Sequence, residues 1–203
     1  MTYDLSLQQI LLRIVAMLVI GTLHGVTLVG LVTLFGDRGP RFDGRLSPNP
    51  LVHVDAMGMI AAMATLGGWI RPLQLDPAQL RNGRLSLVVS VFASLLIVVI
   101  VALGLQQLRG LILTTLPPSS SNLINIWLQV LAQMSVVFAI VNLIPLPPFA
   151  GGYLLQAVAP GLHAMIQPRT TIIAVVLLAL ALIDRGTMLR AVLGPVVKAV
   201  TGN

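Results

Sequence analysis

Residues 85–108, LSLVVSVFASLLIVVIVALGLQQL, contain no charged side chain. A helix needs about 20 apolar residues to cross the hydrocarbon of a bilayer. This run is too long for a strand and too apolar for a solvated helix, so it predicts a membrane span. Further apolar runs cover 8–35, 56–70, 123–144 and 168–183, the second and last of them short. In lipid a helix satisfies its own backbone groups. The expectation is an all-α integral membrane protein of about five transmembrane or membrane-embedded helices, with interfacial helices, in a single membrane domain over 1–203.

The connections support that division. Gly, Pro, Asp and Arg recur through 36–55 and 71–84, which reads as two polar loops. Within the second, LDPAQLRNGR has room for one surface turn of helix. The stretch TTLPPSSSN, 114–122, reads as a turn leading into the next span, with Ser121 or Asn122 as its cap. Residues 153–166 are expected as an amphipathic interfacial helix and 186–200 as a basic amphipathic tail. Arg13, near the end of the first span, is expected to snorkel to the interface. MTYDLSLQQILLRIV has no positive leader region and reads as the start of a retained span.

Charge excludes other classes. Only 9% of the 203 residues are charged, against about a quarter in a soluble domain. The net charge is +6, but the cations lie in the loops, as Arg38, Arg41 and Arg45, or Arg71, Arg81 and Arg84. That distribution fits orientation anchors and lipid headgroup contacts, not nucleic acid. There is no Cys, hence no thiolate metal site. There is also no Glu: the six acids are Asp4, Asp37, Asp43, Asp55, Asp76 and Asp184.

Two stretches carry chemical information. NLIPLPPFAGG, 142–152, is a helix end broken by spaced prolines and followed by a glycine pair that permits close backbone approach. GTLHGVTLVG, 21–30, places His24 inside an apolar run. The first resembles the second signature of the site-2 protease family of intramembrane zinc metalloproteases, approximately N-x-x-P-x-x-P-x-D-G-G. Asn142, Pro145, Pro148, Gly151 and Gly152 match it, and the metal-binding Asp position falls on Ala150. The family's first signature is H-E-x-x-H, in which two His one turn apart hold zinc and the Glu is the general base. In HGVTL, 24–28, His24 is kept, Gly25 stands at the Glu position and Leu28 at the second His position. The pieces GD at 36–37, GRLSPNPLVHVD at 44–55 and GWIRP at 68–72 are similar to the loop and second span of bacterial members. The resemblance runs from about residue 8 to about residue 183.

The resemblance implies a site-2-protease-like bundle in the bacterial cytoplasmic membrane. Arginine counts near the span ends favour a cytoplasmic side for loop 36–55 and the C-terminus. The departures at Gly25, Leu28 and Ala150 lead to three expectations. Zinc is not expected, the chain is expected not to be an enzyme, and its role is an accessory or scaffold subunit binding transmembrane helices of a larger membrane complex. A regulator that sequesters substrates of an active paralogue, or a residually active protease, are the alternatives. Partners are other membrane proteins and lipid. A rescued donor set of His24, His53 and Asp55 is weighed against plainer roles. His53 then makes a hydrogen bond at the start of the second span, Asp55 caps that span, and His163 is an interfacial polar residue. Axial ligation of a haem or pigment by His24 stays open. Ser119, Ser120 and Ser121 have no paired base in sequence, and no phosphate-binding loop occurs. Gly21 and Gly25 form a G-x-x-x-G pair expected to let a second helix approach, with His24 hydrogen-bonded to a neighbouring helix at Asn142.

Overall fold

The computed structural model describes residues 6–202. The chain is all-helical, and four of its helical stretches are long and apolar enough to cross a membrane. Three of them build the centre: α1 (Leu7–Phe35), α5 (Arg84–Gln106) and α7 (Pro118–Val141). Ser6 caps α1 by accepting a hydrogen bond from the Gln9 amide at 3.2 Å. Gly36, at φ 125°, ends it, where only glycine is comfortable.

Between α1 and α5 lie two short helical turns, α2 (Gly39–Phe42) and α3 (Pro50–His53), and the apolar helix α4 (Ala56–Thr65). A single 3₁₀ turn, Pro77–Gln79, is the surface turn expected in LDPAQLRNGR. Helix α6 (Arg109–Thr115) links α5 to α7. After α7 come α8 (Gly151–Val158), α9 (Pro160–Ile166), α10 (Thr170–Asp184) and α11 (Thr187–Thr201).

In the core, Ile20, Leu28 and Val32 of α1 meet Leu87, Val91 and Leu95 of α5 and Leu131, Met134 and Phe138 of α7. Lipid tails are as apolar as these side chains, so close packing rather than water exclusion holds such helices together. Ser86, Ser90 and Ser94, spaced by one turn and buried, give α5 a small-residue face. The Ser90 and Ser94 hydroxyls turn back to carbonyls of their own helix at 2.8 and 2.9 Å, so their burial costs little. A second cluster joins Ala61, Trp69, Val137, Val141, Phe149 and Ala174, and α10 packs against α4 there.

Several expectations change. The second span stops at Thr65, where Leu66 turns left-handed at φ 70°. The glycine pair that follows is not helical, so α4 is too short to span alone. The fourth span begins at Pro118, not after the serines, because Pro at the first helical position needs no amide partner. Ser119 to Ser121 are therefore helical. The interfacial helix is two helices, because Pro160 starts a new one. Arg13 does not snorkel outward; its guanidinium donates to the Met63 carbonyl near the end of α4.

Candidate functional site

His24 lies at the centre of α1 and has no accessible surface. Its ring stands edge-on to Phe138 of α7, with centroids 5.4 Å apart. Neither ring nitrogen has a hydrogen-bond partner among the described residues. Leu28, one turn further, is equally buried in the core. The expected bond from His24 to Asn142 is not made, because Asn142 is fully engaged elsewhere. Its Nδ2 donates to the carbonyls of Gly68 (2.8 Å) and Phe138 (2.9 Å), and its Oδ1 accepts from the Ala150 amide (3.2 Å).

Gly25 faces a side chain, not the backbone of a second helix. A Cβ built there would stand 2.1 Å from Nδ1 of His53. The His53 imidazole therefore occupies the space beside α1 that any larger residue at 25 would need. Gly21 likewise faces Ile70, whose Cγ2 would lie 3.2 Å from an added Cβ. The small pair serves approach of a ring and of the segment after α4, not of a helix backbone. Short helix α3 brings His53 to this position, and its Nε2 donates to the Ser47 carbonyl at 2.8 Å. That bond fixes the tautomer and leaves Nδ1 as a lone pair over Gly25, without a partner. Burial holds His53 below the usual histidine range. Arg45 adds to the effect, and the Ser47 carbonyl works against it.

The second motif is a tied-down loop. Asn142 closes α7 and receives the Gly151 amide on its carbonyl at 2.6 Å. A Cβ at Gly151 would lie 2.0 Å from the Ile144 carbonyl oxygen, so this glycine is dictated by backbone contact. Gly152 packs against Pro147, and Ala150 is buried at the start of α8. Pro145 and Pro148 stand in the turns between α7 and α8, where the helix was expected to break. Asp55 caps α4 as expected: one oxygen accepts both the Gly58 amide (2.9 Å) and Trp69 Nε1 (3.0 Å).

Beside this dry crossing the loops form an open groove. One cavity of about 960 Å³ is lined by Asp37, Gln74, Asp76, Tyr153, Gln156 and His163, among others. Asp37 is buried, and its two oxygens accept the amides of Gly39 (3.0 Å) and Asp76 (2.9 Å). The Tyr153 hydroxyl accepts from the Leu73 amide (2.6 Å) and donates to the Leu73 carbonyl (3.1 Å). Burial pushes that hydroxyl up to about 12. Gln156 adds a bond to the Leu75 carbonyl at 3.2 Å. Residues 71–76 are thus an extended segment clamped to α8, with Leu73 and Leu75 inward and Gln74 outward. The alternation in Leu73-Gln74-Leu75-Asp76 signals an extended segment, although the stretch reads first as a polar loop. Tyr153 and Gln156 are groove residues that the motifs did not point to.

No family model matches the chain, and no solved structure matches it. The chain is similar to the "Putative zinc metalloprotease YwhC" of Bacillus subtilis (strain 168), at 27% identity over 175 residues, covering 80% of this chain and 75% of that one. This corrects the expectation of a non-enzyme, because a relative that covers most of the chain bears a protease name. Degenerate motif positions are a weak guide to loss of activity, since a fold can draw its reactive groups from other elements.

That name implies zinc, which in catalytic sites takes three protein ligands and an open position. Among the described residues no group of three or more His, Cys, Asp or Glu could hold a metal ion. His24 and His53 lie on neighbouring elements, but Leu28 and Ala150 have no donor atom, and Asp55 is occupied as a cap. The described residues do not fit a three-donor zinc site.

Proposed function

We propose that this chain is a site-2-protease-like membrane protein that receives a transmembrane segment of another protein against its own bundle, as an accessory or scaffold component of a larger membrane complex. One observation carries the reading. The apolar window of the span Pro160–Asp184 is 6% buried within the chain, against 39% to 50% for the other three spans. Within α10, Ala174 alone is buried, while Ile172, Val175, Val176 and Leu180 face outward. A span that packs on α4 along one side and leaves the rest uncovered offers a face for helix association.

A second reading is cleavage of the received segment, favoured by the relative named as a zinc metalloprotease. One experiment addresses both. A photo-crosslinker is placed at Val176 or Leu180 of the full chain in native membranes, and adducts are identified by mass spectrometry. A partner of fixed identity and stoichiometry, crosslinked through a transmembrane segment, supports the proposal. Crosslinks to lipid alone overturn it. A partner recovered shortened within its membrane segment moves the reading to proteolysis.

A further inference from the structure

Arg45 stands apart from the other loop arginines. It is 8% exposed, and among the described residues no carboxylate pairs with it at bonding distance. A guanidinium has five N–H donors. Here one donates to the Val52 carbonyl and one to the Arg71 carbonyl, the latter at 2.6 Å. Nε is buried with no partner. The cation is pinned by neutral acceptors, so its charge is positioned but not cancelled. Burying an ion without neutralising it is unfavourable.

Arg45 lines a second cavity of about 620 Å³, together with Asp43, Leu51, Arg71 and Gln74. Arg71 is exposed on the same wall. Asp43 and the Tyr153 hydroxyl are the acidic groups whose fields reach Arg45, and Arg71 is the opposing cation. The cavity is lined by residues of the connections between α1 and α5.

We propose that this cavity binds a phosphate group, held by Arg45 and Arg71. Two arginines match the several oxygens of a phosphate better than a single carboxylate would require. A phospholipid diester or a free phosphate could supply that chemistry, and Asp43 on the cavity wall opposes either.

The test uses the full chain in mild detergent, with bound lipid read by native mass spectrometry after exposure to equimolar phosphatidylglycerol and phosphatidylcholine. Arg45→Ala is set aside, because Arg45 also ties 52 to 71 and its loss can unfold the loop. Arg71→Gln is expected to lower phosphatidylglycerol retention about five-fold or more, the size of one lost charge-assisted contact. Asp43→Asn is expected to raise it. Arg38→Gln, an exposed arginine outside the cavity, is expected to leave it unchanged. Thermal melting with added inorganic phosphate separates the sources. A stabilisation lost in Arg71→Gln, without selective lipid retention, assigns the site to free phosphate, and the reverse pattern assigns it to lipid. Equal lipid retention in wild type and Arg71→Gln, with no phosphate response in either, overturns the proposal. An equal drop in Arg38→Gln and Arg71→Gln overturns it too, since the effect would then be general surface charge.

Discussion

The crossing at His24, Gly25 and His53 and the groove at Asp37 and Tyr153 treat polar groups in opposite ways. At the crossing, three imidazole nitrogens are buried without partners. In the groove, Asp37 and Tyr153 are each doubly bonded to backbone. An unsatisfied buried polar atom costs about 1–3 kcal/mol, while a satisfied one is close to neutral. The groove polar groups therefore hold the loops in shape. Those at the crossing are tolerated by tight packing, and they are where the fold carries a polar cost without visible return.

The comparison breaks most severely at the second motif. Gly151→Ala forces a Cβ onto the Ile144 carbonyl, a backbone atom that cannot swing away. It should cost about 3 kcal/mol or more, seen as loss of the folded fraction in detergent melting. Gly25→Ala should cost somewhat less, about 2–3 kcal/mol, because the atom in its way belongs to a side chain. Adding His53→Ala should recover most of that loss. If the double variant melts no higher than Gly25→Ala alone, the imidazole is not what fills the space beside α1.

Removing the Asn142 side chain tests the tie between α7, the segment after α4 and the start of α8. Asn142→Leu leaves the Gly68 carbonyl and the Ala150 amide without their partner, at about 2–3 kcal/mol. Denaturant midpoints would report it.

The pH response sharpens the crossing further. His53 is held below its ordinary value of 6.5 in the fold, so the unfolded chain binds protons more readily there. Stability from this group is complete above pH 6.5 and falls as the pH drops below it, by up to about 1.4 kcal/mol per unit until the folded value is reached. Melting temperature measured from pH 8 to pH 5 should decline, and His53→Gln should flatten the slope. An unchanged slope would place the titration elsewhere. The smallest effect belongs to the groove: Tyr153→Phe should cost about 1–2 kcal/mol and raise amide exchange at Leu73 before it lowers the melting temperature.

Much of this was legible in residue order. The span at 85–108 needed only its length and lack of charge, and Asp55 was recognisable as a cap from its place before an apolar run. The Pro and Gly spacing of 142–152 announced a broken, closely packed loop. Other elements were hidden for physical reasons. The end of α4 at Thr65 depends on the left-handed Leu66, a conformation that leucine does not advertise. The helix start at Pro118 was obscured by serines that usually mark turns. Arg13 looked like an interfacial anchor because its acceptor, the Met63 carbonyl, lies 50 residues away in sequence.

Sequence by itself therefore determined the solvent of this protein, its helical class and the places where helices must break, because hydropathy, proline and glycine act on their own neighbours. Tertiary structure decided what stands beside each polar group. Gly25 carries no sign that an imidazole from residue 53 will fill its missing side chain, and Arg45 carries none that it will be buried against two carbonyls with its charge uncancelled. Those outcomes depend on which distant elements converge, and only the packed chain sets that.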